Sequence, residues 1–240
     1  MAIKEYLRRV FPGTAEEFCQ KEGEAMLGGK RLFVVTANPE ILIHAEEDPS
    51  IQAMLLDEGT AVVPDGISVV KAMNLLGYPA KERITGVDLA EKLLRLAGEK
   101  GKRVYLLGAK EEVVSALAEK LVAQYPKMEV RYKNGYGKDK DADFREIEAM
   151  QPDLTLVALG VPAQEKLIAR HLENFQKGVF IGVGGSFDVL SGSKRRAPAL
   201  FVKTNTEWLY RIVREPSRLG RFYRNNVKFL RAVRRESKKG

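Results

Sequence analysis

The chain has 240 residues, 45% of them hydrophobic and 30% charged, and a net charge of +8; this supports one sizeable domain with its own core, with or without an appendage. A single cysteine, Cys19, excludes an intrachain disulfide and argues against a cysteine-based metal site, so it reads as a small semi-buried residue in a reducing, cytoplasmic setting. No apolar run approaches transmembrane length, and positions 1–12 carry no signal-like apolar region.

Residues 1–30 read as an accessory helical segment, with Tyr6, Leu7, Val10 and Phe11 as its apolar positions and Thr14 capping a second helix. From Arg31 the pattern changes. Positions 32–37 form a short buried strand, Asn38-Pro39-Glu40 ends it, and Ile41, Leu42 and Ala45 mark a helix face. A second strand over 60–63 is stopped by Pro64-Asp65-Gly66 and followed by a helix over 67–76. A helix over 87–100 and a third strand over 103–108 come next, then a helix marked by Val113, Leu117 and Leu121. A fourth strand over 128–132 ends at Asn134-Gly135-Tyr136-Gly137. A charged helix near 143–150, a fifth strand over 154–160, a helix over 164–174 and a sixth strand over 178–183 complete the pattern. Continuous apolar strands alternating with helices predict an α/β fold: a Rossmann-like, mainly parallel sheet covered by helices on both faces. The expected division is an N-terminal helical segment (1–30), an α/β catalytic domain (31–197) and a basic amphipathic C-terminal helical appendage (198–240).

The charge is confined to that appendage. From Lys203 onward there are 12 Lys/Arg against 3 Asp/Glu, while the preceding 202 residues carry 28 against 29. Arg211, Arg214, Arg218, Arg221, Arg224, Lys228, Arg231 and Arg234 recur at three- and four-residue steps, as if along one helix face. Trp208, Leu209, Ile212, Phe222, Tyr223, Val227 and Leu230 supply apolar surface, and Pro216 divides the segment. Such a segment suits an anionic membrane surface or nucleic acid.

In a parallel sheet the carboxyl ends of the strands share one rim, which is where ligands bind. Here that rim carries Thr36, Asn38, Asp65, Gly66, Gly108, Gly135, Tyr136, Gly160, Gln164, Gly184, Gly185 and Asp188. Glycines at helix N-termini suit phosphates, hence a nucleotide or sugar nucleotide. Asp65 on its own is equally a turn residue. Asp139-Lys140-Asp141-Ala142-Asp143 contains two D-x-D patterns, but they follow no apolar strand and read as a solvated helix cap. His44 and His171 lack metal-ligand spacing and read as structural or surface residues. Two further readings stay open at this point: a nucleic-acid-binding α/β protein using the basic tail, and a dinucleotide oxidoreductase. The second lacks both the glycine fingerprint and the acidic residue after the second strand.

The chain resembles the WecG/TagA/CpsF glycosyltransferases over roughly residues 31–224. The resemblance is carried by Thr36-Ala37-Asn38-Pro39, Pro64-Asp65-Gly66, Glu82-Arg83-Ile84-Thr85-Gly86-Val87-Asp88 and Gly160-Val161-Pro162-Ala163-Gln164-Glu165. It continues through Gly182-Val183-Gly184-Gly185-Ser186-Phe187-Asp188, Arg196-Ala197-Pro198, Glu207-Trp208 and Glu215-Pro216-Ser217-Arg218. It implies an inverting enzyme, independent of metal or other cofactor, that moves an N-acetylmannosamine-type sugar from a UDP donor. The acceptor would be N-acetylglucosamine on undecaprenyl diphosphate at the inner face of the cell membrane, in wall teichoic acid linkage-unit or surface glycan synthesis. It further implies Asp65 as general base, with Thr36 and Asn38 orienting sugar hydroxyls or Asp65 itself. Arg83 would contact a diphosphate, and Gln164, Gly135, Tyr136, Gly184, Gly185 and Asp188 would line the nucleotide side. Arg214, Arg221 and Arg224 would reach over the site to stabilise departing UDP and hold lipid diphosphate or anionic head groups. Ala163 stands where the family has lysine. The expected partners are thus the UDP-sugar, the polyprenyl-diphosphate-linked acceptor and an anionic membrane surface, without nucleic acid; a homo-oligomer is left open.

Overall fold

A computed structural model describes residues 3–27 and 29–238. Met1, Ala2, Gly28, Lys239 and Gly240, which belong to the expected 1–30 and 198–240 segments, lie outside the described residues. The described residues contain six strands: β1 (Arg31–Ala37), β2 (Thr60–Pro64), β3 (Arg103–Gly108), β4 (Glu129–Lys133), β5 (Leu154–Ala158) and β6 (Gly178–Gly182). They form one all-parallel sheet in the order β2-β1-β6-β5-β3-β4. This is the expected Rossmann-like α/β architecture.

The period-two alternation of the strands divides the core into two layers. Phe33, Val35, Tyr105, Leu107, Val157 and Phe180 face one, and Val34, Val63, Val104, Leu106, Leu156 and Ile181 face the other. The first layer is covered by α1 (Ile3–Arg9), α3 (Pro39–Glu47), α4 (Pro49–Leu56), α5 (Ile67–Leu75), α8 (Lys140–Met150) and α9 (Ala163–His171). The second is covered by α2 (Ala15–Leu27), α6 (Gly86–Glu99), α7 (Glu111–Gln124) and the short α10 (Ser186–Leu190). Because both faces are buried, β1, β3, β5 and β6 read as apolar runs. Only β4, at an edge, stays largely exposed, and its charged Glu129, Arg131 and Lys133 discourage further strand pairing. It starts one residue later than the sequence pattern predicts.

α4 has no counterpart in the sequence reading, which passes over 49–56 without an element. Its start is nonetheless encoded: the Asp48 amide closes α3 on His44 O (2.8 Å), the Asp48 carboxylate accepts from Ser50 N (2.9 Å), and Pro49 occupies the first turn.

The N-terminal segment is integral rather than accessory. Phe11 N donates to Val62 O (2.7 Å), so the chain after α1 covers the free edge of β2. Tyr6 and Leu7 are buried in the first layer, and Tyr6 Oη donates to Ala45 O (3.1 Å). Thr14 and Glu17 form a reciprocal capping box at the start of α2.

The C-terminal segment folds back in the same way. It comprises α11 (Ala199–Lys203), α12 (Glu207–Arg214) and α13 (Leu219–Ser237), with a 3-10 turn at Pro216–Arg218 where Pro216 breaks the chain. α13 buries Phe229 and Val233 completely in the first layer, and Lys228 pairs with Glu47 of α3 (2.6 Å). The basic side chains therefore do not share one face. Arg211 turns toward Glu207, Arg221 toward Glu40, and Arg214 stacks on Tyr210 with its guanidinium 5.6 Å from the ring centroid.

The acidic run before α8 is only partly a solvated cap. Asp139 caps the helix by accepting from Ala142 N (2.9 Å). Asp143, by contrast, is buried and paired with Lys133 (3.0 Å) and Lys140 (3.2 Å). Asp141 and Glu148 hold the two ring nitrogens of His171 at 2.7 and 2.6 Å. His171 thereby ties α9 to α8.

Candidate active site

The rim of β2 and β1 and the returning C-terminal helices enclose a cavity of about 720 Å³. Its floor is built by backbone pairing. Asp65 N donates to Ala37 O (2.9 Å), which fixes the turn after β2 against the end of β1. Ile84 N donates to Pro64 O (2.7 Å), so the chain entering α6 runs beside β2 and brings Arg83, Thr85 and Gly86 next to Asp65. Its roof comes from α12 and α13, through Glu207, Trp208, Arg211, Ile212, Arg221, Phe222 and Leu230. The rings of Trp208 and Phe222 stack at 4.8 Å and hold these two helices together.

Asp65 is only partly exposed, and it lines this cavity. Burial pushes its carboxyl up to about 6 from the ordinary 3.8; Arg211 and Arg83 pull it down, Glu207 pushes it up, and the Gly86 amide pulls it down by hydrogen bonding. A carboxylate with that affinity is ionised at neutral pH and still binds a proton readily, which suits a general base. Thr36 is buried beside it and donates from Oγ1 to Gly182 O (3.3 Å). The Asn38 side-chain Oδ1 caps α3, accepting from Glu40 N (2.9 Å) and Ile41 N (3.1 Å), which leaves the Nδ2 donor for a ligand.

Arg83 reaches the cavity already paired: its Nη2 donates to Glu207 Oε2 (3.2 Å). Arg221 also lines the cavity, 3.6 Å from Glu40. The other expected residues do not line it. Gly135 and Tyr136 follow β4, five strand spacings from β2 and so roughly 24 Å away. Gly184, Gly185 and Asp188 follow β6, and Arg214 and Arg224 are exposed on α12 and α13.

Gln164 is buried and bonded to backbone. Its Oε1 accepts from Gly160 N (3.1 Å) and Gly184 N (3.0 Å), and its Nε2 donates to Glu165 Oε1 (2.7 Å). It therefore staples the turns after β5 and β6 together. Gly160 and Gly184 both have positive φ (82° and 50°), a conformation glycine adopts without strain. Glu165 is buried with no basic partner among the described residues, and burial raises its carboxyl to about 7. Gln164→Ala is expected to leave two turn amides unpaired and cost about 1–3 kcal/mol, read as a lower urea midpoint. An unchanged midpoint would show that the staple contributes nothing.

Residues 7–240 match the model of the Glycosyl transferase WecG/TagA/CpsF family. The chain belongs to this family. Among its relatives is an N-acetylglucosaminyldiphosphoundecaprenol N-acetyl-beta-D-mannosaminyltransferase of Bacillus spizizenii, 41% identical over 190 residues, covering 79% of this chain and 74% of the relative. Proteins of the same name from Bacillus subtilis (39%, covering 77% and 72%) and Staphylococcus aureus (38%, covering 79% and 75%) are similar to it as well. In this WecG/TagA/CpsF chain the sequence reading missed Glu207 and Arg211 as neighbours of the expected base, together with Thr85, Gly86, Trp208 and Ile212 in the cavity wall. Glu207 did carry a signal: it is one of 3 acidic residues against 12 basic ones in its segment.

Proposed function

We propose that this glycosyltransferase moves N-acetylmannosamine from a UDP donor to N-acetylglucosamine on undecaprenyl diphosphate. The observation that carries this reading is Asp65 at the floor of a half-open cavity whose roof is both cationic and apolar. The names of the similar proteins support the acceptor and the transferred sugar. The acceptor hydroxyl oxygen attacks the anomeric carbon, its proton passes to Asp65, and the bond from that carbon to the UDP oxygen breaks with inversion. UDP leaves with the bonding electron pair. Arg83, Arg211 and Arg221 stabilise the charge that develops on the diphosphate. Thr36 and the Asn38 amide orient the sugar. The nucleoside end of the donor lies toward the turns after β5 and β6, where Gly160 and Gly184 leave open space beside the backbone.

The acceptor's lipid tail leaves toward the apolar side of the roof. Leu75, Leu209, Val213, Leu219, Tyr223 and Leu230 are exposed around it, interleaved with Arg214, Arg218 and Arg224. This combination suits an anionic bilayer surface, and no helix among the described residues is long and apolar enough to cross a membrane.

The test is to incubate the full chain with UDP-N-acetylmannosamine and a short polyprenyl-diphosphate-linked N-acetylglucosamine, following UDP release and product mass. Transfer is expected, with a rate that declines below pH ~6 as Asp65 takes up a proton. Transfer only from another UDP-sugar would change the donor. No transfer, together with salt-sensitive oligonucleotide binding, would replace this reading with the nucleic-acid one.

A further inference from the structure

Glu207 is a carboxylate buried in the most basic part of the chain. It opens α12, is only 3% exposed, and lines the cavity with Asp65. Three guanidinium groups from separate parts of the chain converge on it. Its Oε2 accepts from Arg83 Nη2 at 3.2 Å, its Oε1 accepts from Arg211 Nη2 at 2.8 Å, and Arg196 Nε lies 4.0 Å from Oε1. Arg83 belongs to the chain entering α6, Arg196 to the segment before α11, and Arg211 to α12 itself. Arg196 is fixed in turn by Asp88 (2.5 and 2.8 Å), and Asp88 by the Thr85 hydroxyl (2.6 Å).

A carboxylate this enclosed is strongly unfavourable without partners, and three arginines this close repel one another without an anion between them. Each therefore depends on the other. Arg83 and Arg211 each use one N–H on Glu207, so further donors of each planar fork remain for an oxygen-rich anion.

We propose that Glu207 is a positioning residue: it ties the C-terminal segment over the cavity and holds Arg83 and Arg211 where an anionic substrate meets Asp65. The identity of that substrate, a sugar diphosphate, rests on the proposed transferase reading; the link from Glu207 to Asp65 does not. Arg83 on the α6 side and Arg211 and Glu207 on α12 share the cavity wall with Asp65 and act on its charge, with the Gly86 amide adding a hydrogen bond. Glu40, Lys71, Arg218 and Arg221 line the wider cavity. Docking of α12 thus sets the balance of charge around the base.

The test compares Glu207→Gln with Arg211→Gln in the full chain. Carbon-13 NMR of the Asp65 carboxyl, without substrate, reads its titration directly. Removing the negative neighbour is expected to lower the Asp65 midpoint by ~0.5–1 pH unit, and removing the positive one to raise it by a similar amount. The acid limb of transfer should move in the same two directions. Glu207→Gln should also raise KM for the UDP-sugar donor, because both arginines that meet its diphosphate lose their anchor. A merely structural role for Glu207 predicts a lower melting temperature with an unmoved Asp65 midpoint, and that result overturns the proposal. So do two shifts of the same sign. If Glu207→Gln does not fold, Arg211→Gln decides alone: its side chain is 47% exposed, and an unmoved Asp65 overturns the proposal. Opposite shifts with no transfer by the unaltered protein would leave Glu207 in place and remove the transferase reading.

Discussion

Replacing Asp65 with asparagine is expected to cut transfer roughly 100- to 10,000-fold while making the protein more stable at neutral pH. Both effects come from burial of one carboxyl. In the folded protein Asp65 titrates at about 6, above its ordinary 3.8. Between those two values the folded state binds more protons than the unfolded state, so stability falls as pH rises through that window. Above it the ionised carboxylate remains a burden. Asparagine keeps the shape and never ionises. The variant should therefore match the unaltered protein below pH ~4 and gain up to about 3 kcal/mol above pH ~6. Urea midpoints at three pH values would measure this. A variant no more stable at neutral pH would mean that the carboxyl is not desolvated, and the acid limb of activity near 6 would need another owner.

The second large effect is expected at Phe229. It is fully buried although it lies near the end of the chain, in a helix with many exposed basic residues. Truncation to alanine removes a large aromatic side chain from the layer formed by α1, α3 and α5 and should cost about 3–5 kcal/mol. The loss should appear in both stability and transfer, because α13 also carries Phe222, Arg221 and Leu230 of the cavity wall. A freely hanging tail predicts the opposite, an unchanged urea midpoint. Substitution at exposed Tyr223, the residue after Phe222 on the same helix, is the natural control and should leave the midpoint nearly unchanged.

The sheet was legible in the sequence because strands buried on both faces must be continuously apolar, and the turns that end them need glycine, proline or a capping side chain. The half of the site made by strand ends was legible for the same reason: Thr36, Asn38 and Asp65 stand directly after apolar runs. α4 was missed because its mostly apolar sequence, Pro49–Leu56, lacks a clear amphipathic period and its signal lay in the Asp48-Pro49 junction. The periodic arginines suggested one basic helix face; the fold instead distributes them, since Pro216 rotates the second helix relative to the first and buried Glu207 draws Arg211 inward. Gln164 could be singled out from its motif, but its bonding to two distant turn amides depends on β5 and β6 being neighbours, which local pattern does not encode.

The cavity joins the turn after β2 to α12 and α13, more than 140 positions further along, and the sheet places later-made β6 between β1 and β5. During synthesis, then, Asp65 emerges early and waits. Until β6 has been made, β1 lacks one of its two neighbours; until α12 and α13 are complete, Asp65 faces water without Arg211 or Glu207 beside it. A nascent or prematurely terminated chain thus carries Asp65 but not the charged neighbours that shift its carboxyl. The cavity closes only once α12 and α13 have been added to the sheet.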